Sequence, residues 1–221
     1  MVVGVNRMPL RIGSVVLLGV FVGGCVVPMP APDAGKVLRI QGQASRDRGG
    51  ETVPLVRGDR IAIGDRLNTG LESRLEVKLP DNTRVTLGAE AVLAVDKVTG
   101  EFEGLAGRTE ISVMTGAFRT VAGHLRAGSD PGVVVHTPMV SIGIRGTDVW
   151  GGQSDAVYGV ALLEGKVVVR NKAGEVTLDK PGYGTDIPGP DVAPTPPRAW
   201  NENRIKRALE TVAFSHPADD D

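Results

Sequence analysis

Arg145, Gly146, Thr147 and Asp148 stand together directly after the alternating run Val140-Ser141-Ile142-Gly143-Ile144. A guanidinium and a carboxylate this close could hold an anion or orient a substrate. The stretch has no nucleophile with its own base, and nothing near it supplies a metal cluster. The three histidines, His124, His136 and His216, are far apart in the sequence and show no ligand spacing. No phosphate loop, dinucleotide fingerprint, nucleophile elbow or zinc-protease helix motif occurs. Asp59 and Asp65 each sit in a Gly-Asp-Arg tripeptide and could pair for acid–base work. Both lie between apolar runs, where turn formation accounts for glycine and aspartate more simply. The expectation is therefore a protein that is not an enzyme and carries no cofactor or metal; an envelope enzyme or polysaccharide binder is the remote alternative.

The elements that must position these residues read as strands. Val140, Ile142 and Ile144 point one way and Ser141, Gly143 and Arg145 the other, until Gly146-Thr147 moves the next apolar residue, Val149, out of phase. A bulge or bend at Gly146 does this, because one extra residue sends every later side chain to the opposite face. Arg145 then becomes a donor for stranded carbonyls and for Asp148. Elsewhere Leu75 to Leu79 and Val85 to Leu87 alternate around Pro80-Asp81-Asn82-Thr83, a β-hairpin pattern. Further strands are expected at 92–98, 109–114, near 116–119, and at 133–135, 157–163, 166–170 and 176–178. Turns are expected at Glu164-Gly165 and Asn171 to Gly174, with a surface loop over 123–132. Thirty glycines and 15 prolines point to many short elements joined by tight turns. Four phenylalanines, two tyrosines and two tryptophans are too few for a surface that stacks sugars or bases.

The ends divide the chain further. Arg7 and Arg11, the apolar run Ile12 to Val22 and small residues before Cys25 form the three parts of a secretory signal. The run falls short of the roughly 20 residues of a membrane span. Val22-Gly23-Gly24-Cys25 resembles a bacterial lipobox, so residues 1–24 are expected to be a lipoprotein signal peptide and Cys25, the only cysteine, the lipidated residue. Val26, where an inner-membrane retention signal would usually have aspartate, favours the periplasmic side of the outer membrane. Removing two arginines with the signal moves the formal charge from −1 to −3, with no basic excess for nucleic acid. Residues 25–34 read as a proline-rich tether, 35–187 as the β domain and 188–199 as a second proline-rich linker. Residues 200–221 read as a short amphipathic helix and acidic tail, with Trp200, Ile205, Leu209 and Val212 to Ala213 on the apolar stripe and Asn201 or Asn203 as cap.

The order and spacing of several segments add a resemblance. PLVRGDRIAIGDRLNTGLESRLEVKLPDNTRVTLG, over 54–88, is similar to the first half of the FecR domain family. VHTPMVSIGIRGTDVW and ALLEGKVVVRNKAGEVTLDKPGYGT, from 135 and 161 onward, are similar to its second half. The resemblance spans about 35–187 and implies an all-β domain of stacked hairpins, in a twisted solenoid-like or sandwich arrangement. It carries over no catalytic residues. Signal transducers of the family have a cytoplasmic anti-sigma segment and a membrane helix, where this chain is expected to have a cleaved signal and a lipid anchor. The expected function is that of a lipoprotein whose β domain binds or scaffolds envelope proteins, with a metal- or stress-responsive relay through a separate transducer as the alternative.

Overall fold

The computed structural model describes Met1 and residues 32–99, 108–122 and 132–215. The expected signal peptide, Cys25, most of the tether, nearly all of the 123–132 loop, His124 and His216 lie outside the described residues. Among the described residues the chain is all-β apart from one helix, as the sequence led one to expect.

Strands β1 (Asp33–Gln41), β2 (Ala44–Arg48), β3 (Glu51–Pro54), β4 (Arg60–Ala62) and β5 (Arg66–Thr69) come first. The hairpin around Pro80 follows as β6 (Arg74–Lys78) and β7 (Arg84–Leu87), with Leu75 opposite Leu87 and Val77 opposite Val85. Then come β8 (Val92–Thr99), β9 (Arg108–Thr115), β10 (Phe118–Val121) and β11 (Val133–His136). Two long strands, β12 (Ser141–Ser154) and β13 (Val157–Asn171), form a hairpin that is the spine of the sheet. The chain ends with β14 (Gly174–Leu178), β15 (Tyr183–Ile187), β16 (Arg198–Ala199) and α1 (Glu202–Glu210).

The spine explains the architecture. Along one edge of β12, β11 pairs with 141–144 and β10 with 148–151. Two arms therefore leave the same edge, one running β11-β9-β8-β5-β2-β3 and the other β10-β7-β6-β1-β4. On the outer edge of β13, β14 extends the first arm and β15 with β16 the second. One buried apolar cluster draws on both arms, including Leu67, Leu93, Ile111 and Ile142 from the first and Val37, Leu75, Val85 and Phe118 from the second. The arms thus fold over a shared core in the manner of a sandwich. Successive segments change arm repeatedly, so β9 and β11 lie side by side in parallel with β10 in the other arm between them in sequence.

The two Gly-Asp-Arg tripeptides are corners at which the chain changes arm. At the first, Asp59 N–H donates to the Val56 carbonyl and the Asp59 carboxylate accepts from Val56 N–H at 2.8 Å. At the second, Asp65 N–H donates to the Ala62 carbonyl and its carboxylate accepts from Ala62 N–H at 2.8 Å. Gly58 and Gly64 take φ of 93° and 89°, the left-handed position that such a turn assigns to its third residue.

Three expectations change. Glu164-Gly165 is an irregularity inside the continuous β13, not a turn, because 166–170 and 157–163 pair with the same strand. Residues 188–199 run back along β15 instead of leaving the body: Thr195 N–H donates to the Asp186 carbonyl, and the Thr195 hydroxyl accepts from Asp186 N–H. Asn201 caps α1 as anticipated, but the buried stripe is Trp200, Arg204, Ala208 and Val212, with Ile205 and Leu209 half-buried beside it. Among the described residues no helix is long and apolar enough to cross a membrane.

Candidate functional site

The Arg145 to Asp148 segment lies at the midpoint of the spine, where β12 passes from one arm to the other. Arg145 faces Lys166 and Asp148 faces Glu164, so Gly146 and Thr147 stand opposite Gly165 alone. The register then shifts back at Leu163, and Val149 faces Leu162. Two bulges on opposite strands thus cancel, and the ladder resumes with its original pairing. Gly146 has φ 58° with open space where a side chain would begin, so its requirement is backbone conformation alone. Gly165, at φ 84°, is also held close beneath Thr147, and a Cβ there would collide with the Thr147 side chain and the Gly146 carbonyl. Thr147 is buried, and its carbonyl accepts from Ala122 N–H at 2.9 Å.

Asp148 is held by Arg119. The guanidinium on β10 donates Nε and a terminal nitrogen to the two carboxylate oxygens at 2.9 and 2.5 Å. The contact is diagonal across the ladder, since Val121 faces Asp148 and Arg119 faces Trp150. The Asp148 hydrogen bond raises the Arg119 pKa against the opposing effect of burial. The side chain of Arg145, expected to serve Asp148, lies outside the described residues. Sequence reasoning missed Arg119, which it placed only in a further short strand near 116–119; β10 spans Phe118–Val121.

A second polar cluster closes the C-terminal end. Arg204 projects from α1 into the body with its side chain 6 % exposed, donating to Asp186 at 2.6 Å and to the Ser154 hydroxyl at 3.2 Å. Its guanidinium lies 3.6 Å from the Trp200 ring centroid, a favourable cation–π position. Arg198 donates to the other oxygen of Asp186 at 2.5 Å. Burial pushes the Asp186 carboxyl up, but the hydrogen bonds from Arg204 and Arg198 outweigh it and leave the pKa lowered. Trp200 fits because Gly159 and Gly184 leave room; a Cβ at Gly159 would lie 2.7 Å from the indole. Trp200 meets Trp150 edge to face at 6.1 Å, and the Trp150 N–H donates to the Thr211 hydroxyl.

His136 is the described histidine. Its Nδ1 is 3.0 Å from the Ser141 hydroxyl, directly across the β11–β12 ladder, and its Nε2 is 3.9 Å from a Glu110 oxygen. The residue types are those of a nucleophile, a base and an orienting acid. The imidazole, however, is 42 % exposed on a sheet face, and the carboxylate is beyond hydrogen-bond reach of its ring nitrogen. This arrangement secures a cross-strand pair and does not exclude water. Among the described residues no group of three or more His, Cys, Asp or Glu is placed to hold a metal ion.

Residues 65–168 match the family described as FecR protein. The chain carries a FecR domain. The matched region begins at the buried corner of Asp65 and runs through the β6–β7 hairpin and the spine to Val168 on β13. Two crystal structures of a candidate anti-sigma factor from Parabacteroides distasonis, at 1.65 and 2.50 Å resolution, share the fold at 18 % sequence identity. Their TM-scores are 0.50 and 0.51, and each covers 65 % of this chain. The chain spans 64 % and 63 % of the length of those two proteins. No curated protein matches in sequence. The sheet extends beyond the matched FecR region on both sides in sequence, since β1 to β4 precede it and β14 and β15 follow it along the outer edge of β13.

Proposed function

We propose that this FecR protein is a non-catalytic component of signal transduction in the bacterial cell envelope, acting through the proteins that its β domain binds. The match of residues 65–168 to the FecR family carries the reading. The motif chemistry supports it: Asp65 and Asp148 are consumed by Arg48 and Arg119 within the chain, which leaves them as scaffold and not as reagents. The chain is held on the periplasmic side of the outer membrane by acyl groups on Cys25. That placement rests on Arg7, Arg11, the apolar run Ile12 to Val22 and the lipobox-like Val22-Gly23-Gly24-Cys25. Each buried CH₂ contributes about 0.8 kcal/mol to such an anchor.

Mass spectrometry of the native N-terminus is expected to find acylated Cys25 as the first residue. An uncut leader facing the cell interior would end the anchoring model. Affinity capture of the full chain from cross-linked envelopes is expected to recover the same protein in independent preparations, and repeated recovery of none would overturn the binding role. A second reading, relay of metal or stress status through a separate transducer, is favoured by the fold shared with structures described as anti-sigma factors. Deleting the chain should then change the transcripts under one alternative sigma factor, and an unchanged profile would leave scaffolding alone.

A further inference from the structure

The outer face of the second arm carries a row of cations. Arg60 on β4, Lys36 on β1, Lys78 on β6 and Arg84 on β7 stand directly opposite one another on neighbouring strands. Val37, Val77 and Val85 beside them are buried in the core, so alternation turns the charged side chains to the other face. Lys36, Arg60 and Arg84 are exposed and Lys78 is half-buried. At strand spacings of about 4.8 Å the row runs for roughly 14 Å, on a chain whose formal charge is −1.

Like charges directly opposite across a ladder are destabilising, and here they follow one another from strand to strand. The neighbouring carboxylates do not neutralise them. Asp33 pairs at 2.8 Å with Arg60, at the end of the row. Asp81, in the turn between β6 and β7, accepts from Thr83 N–H and the Thr109 hydroxyl. Asp148, where the row reaches β12 past Val121, is held by Arg119. Glu76, one row away, lies near enough to Arg119 to raise its pKa. Among the described residues Lys36, Lys78 and Arg84 have no ion pair.

Much of the rest of this face is covered. Trp150 and Ala161 pack against Trp200, Ala208 and Val212, and the Phe214 ring centroid lies 4.0 Å from the Arg39 guanidinium. The cations lie at the other end of β1, where the chain enters the body. There the Pro32 carbonyl accepts from Ile63 N–H at 3.1 Å, and Cys25 precedes Pro32 by seven positions. That length of chain, fully extended, spans at most about 25 Å. An acyl anchor at Cys25 thus holds the row near lipid headgroups, at an effective concentration that a free ligand lacks.

We infer that this row docks the β domain on an anionic phospholipid surface, with Lys36, Lys78 and Arg84 against the headgroup phosphates. The choice of a lipid rests on the anchoring reading above; the row of unpaired charge does not.

The test is lysine acetylation, read by mass spectrometry, of the full chain reconstituted in vesicles of phosphatidylcholine alone or mixed with phosphatidylglycerol. At about 0.1 M salt, Lys36 and Lys78 are expected to label about fivefold more slowly on the mixed vesicles. The difference should vanish at about 1 M salt, where charges are screened beyond roughly 3 Å. Lys97, exposed on β8 in the other arm, should label equally on both. Arg84→Gln, checked for folding by circular dichroism, should remove most of the protection, since each cation near such a surface contributes about fivefold. Salt reversal on the unaltered protein needs no variant. Equal labelling of Lys36 and Lys78 on the two kinds of vesicle, or equal protection of Lys97, would overturn the inference. So would stronger protection by inorganic polyphosphate than by vesicles at the same phosphate concentration, which assigns the row to a soluble polyanion. The N-terminal peptide in the same spectra reads the anchor separately. If Cys25 is acylated and the lysines are unprotected, docking fails and the anchor stands. If Cys25 is unmodified, the anchoring reading fails, and protection or its absence on the vesicles still decides the row.

Discussion

The corners at Asp59 and Asp65 use the same tripeptide, the same glycine conformation and the same carboxylate cap, six residues apart. Their surroundings differ. Asp59 is half-buried, and its carboxylate caps Val56. Asp65 is fully buried and carries Arg48 on both oxygens at 2.5 and 2.7 Å, from β2, the strand that pairs with β5 directly after the corner. The arginine is 44 % exposed, so one end of the pair reaches water and the other does not. The comparison teaches that a local motif fixes a turn, whereas the energy resting on it depends on what the fold brings to its back.

The largest effect should come from Arg48→Ala, which strands a fully buried carboxylate and is expected to cost about 3 kcal/mol. Urea unfolding would measure it, and a loss below about 1 kcal/mol would erase the distinction between the corners. Adding Asp65→Asn to Arg48→Ala should recover part of the loss, because the stranded charge is gone while an oxygen remains to cap Ala62. Next, Asp65→Ala should cost about 2 kcal/mol against about 1 for Asp59→Ala, the difference reflecting a buried N–H left without its acceptor. Gly58→Ala and Gly64→Ala should then be equal, at about 1 kcal/mol each. Neither glycine has any atom within 4 Å of where a Cβ would sit, so the cost is conformational at both. Unequal losses would show that burial acts on the backbone too.

The smallest effect should be on pH dependence at the C-terminal cluster, where the acid is also largely buried. The folded pKa of Asp186 is lowered, so its stabilisation is complete above the ordinary carboxylate value and is lost as pH falls through the folded value. Acidification below about pH 4 should therefore loosen α1, read as a change in the fluorescence of Trp150 and Trp200. Asp186→Asn should flatten that transition. A profile unchanged by the substitution would mean that the glycine seat for Trp200, and not the ion pairs, holds the helix.

Much of this arrangement is local and was readable. Alternation marks the β6–β7 hairpin, Gly-Asp marks two corners, and the phase change between Ile144 and Val149 coincides with the register shift at Gly146. Glu164-Gly165 misled because glycine at positive φ serves equally in a turn and in a bulge, and only the pairing partner distinguishes them. Arg204 escaped notice because an amphipathic stripe is read from apolar residues, while this helix buries a guanidinium that Asp186 and Ser154 satisfy.

By itself the sequence determined an all-β body, its turn chemistry and its FecR character, because periodicity and glycine–aspartate turns act over a few residues. Only the tertiary structure decided which carboxylate meets which arginine: Asp65 with Arg48, Asp148 with Arg119, Asp186 with Arg204. A two-residue period says which face a side chain takes and nothing about which strand lies beside it. That neighbour is chosen when two arms close over one core.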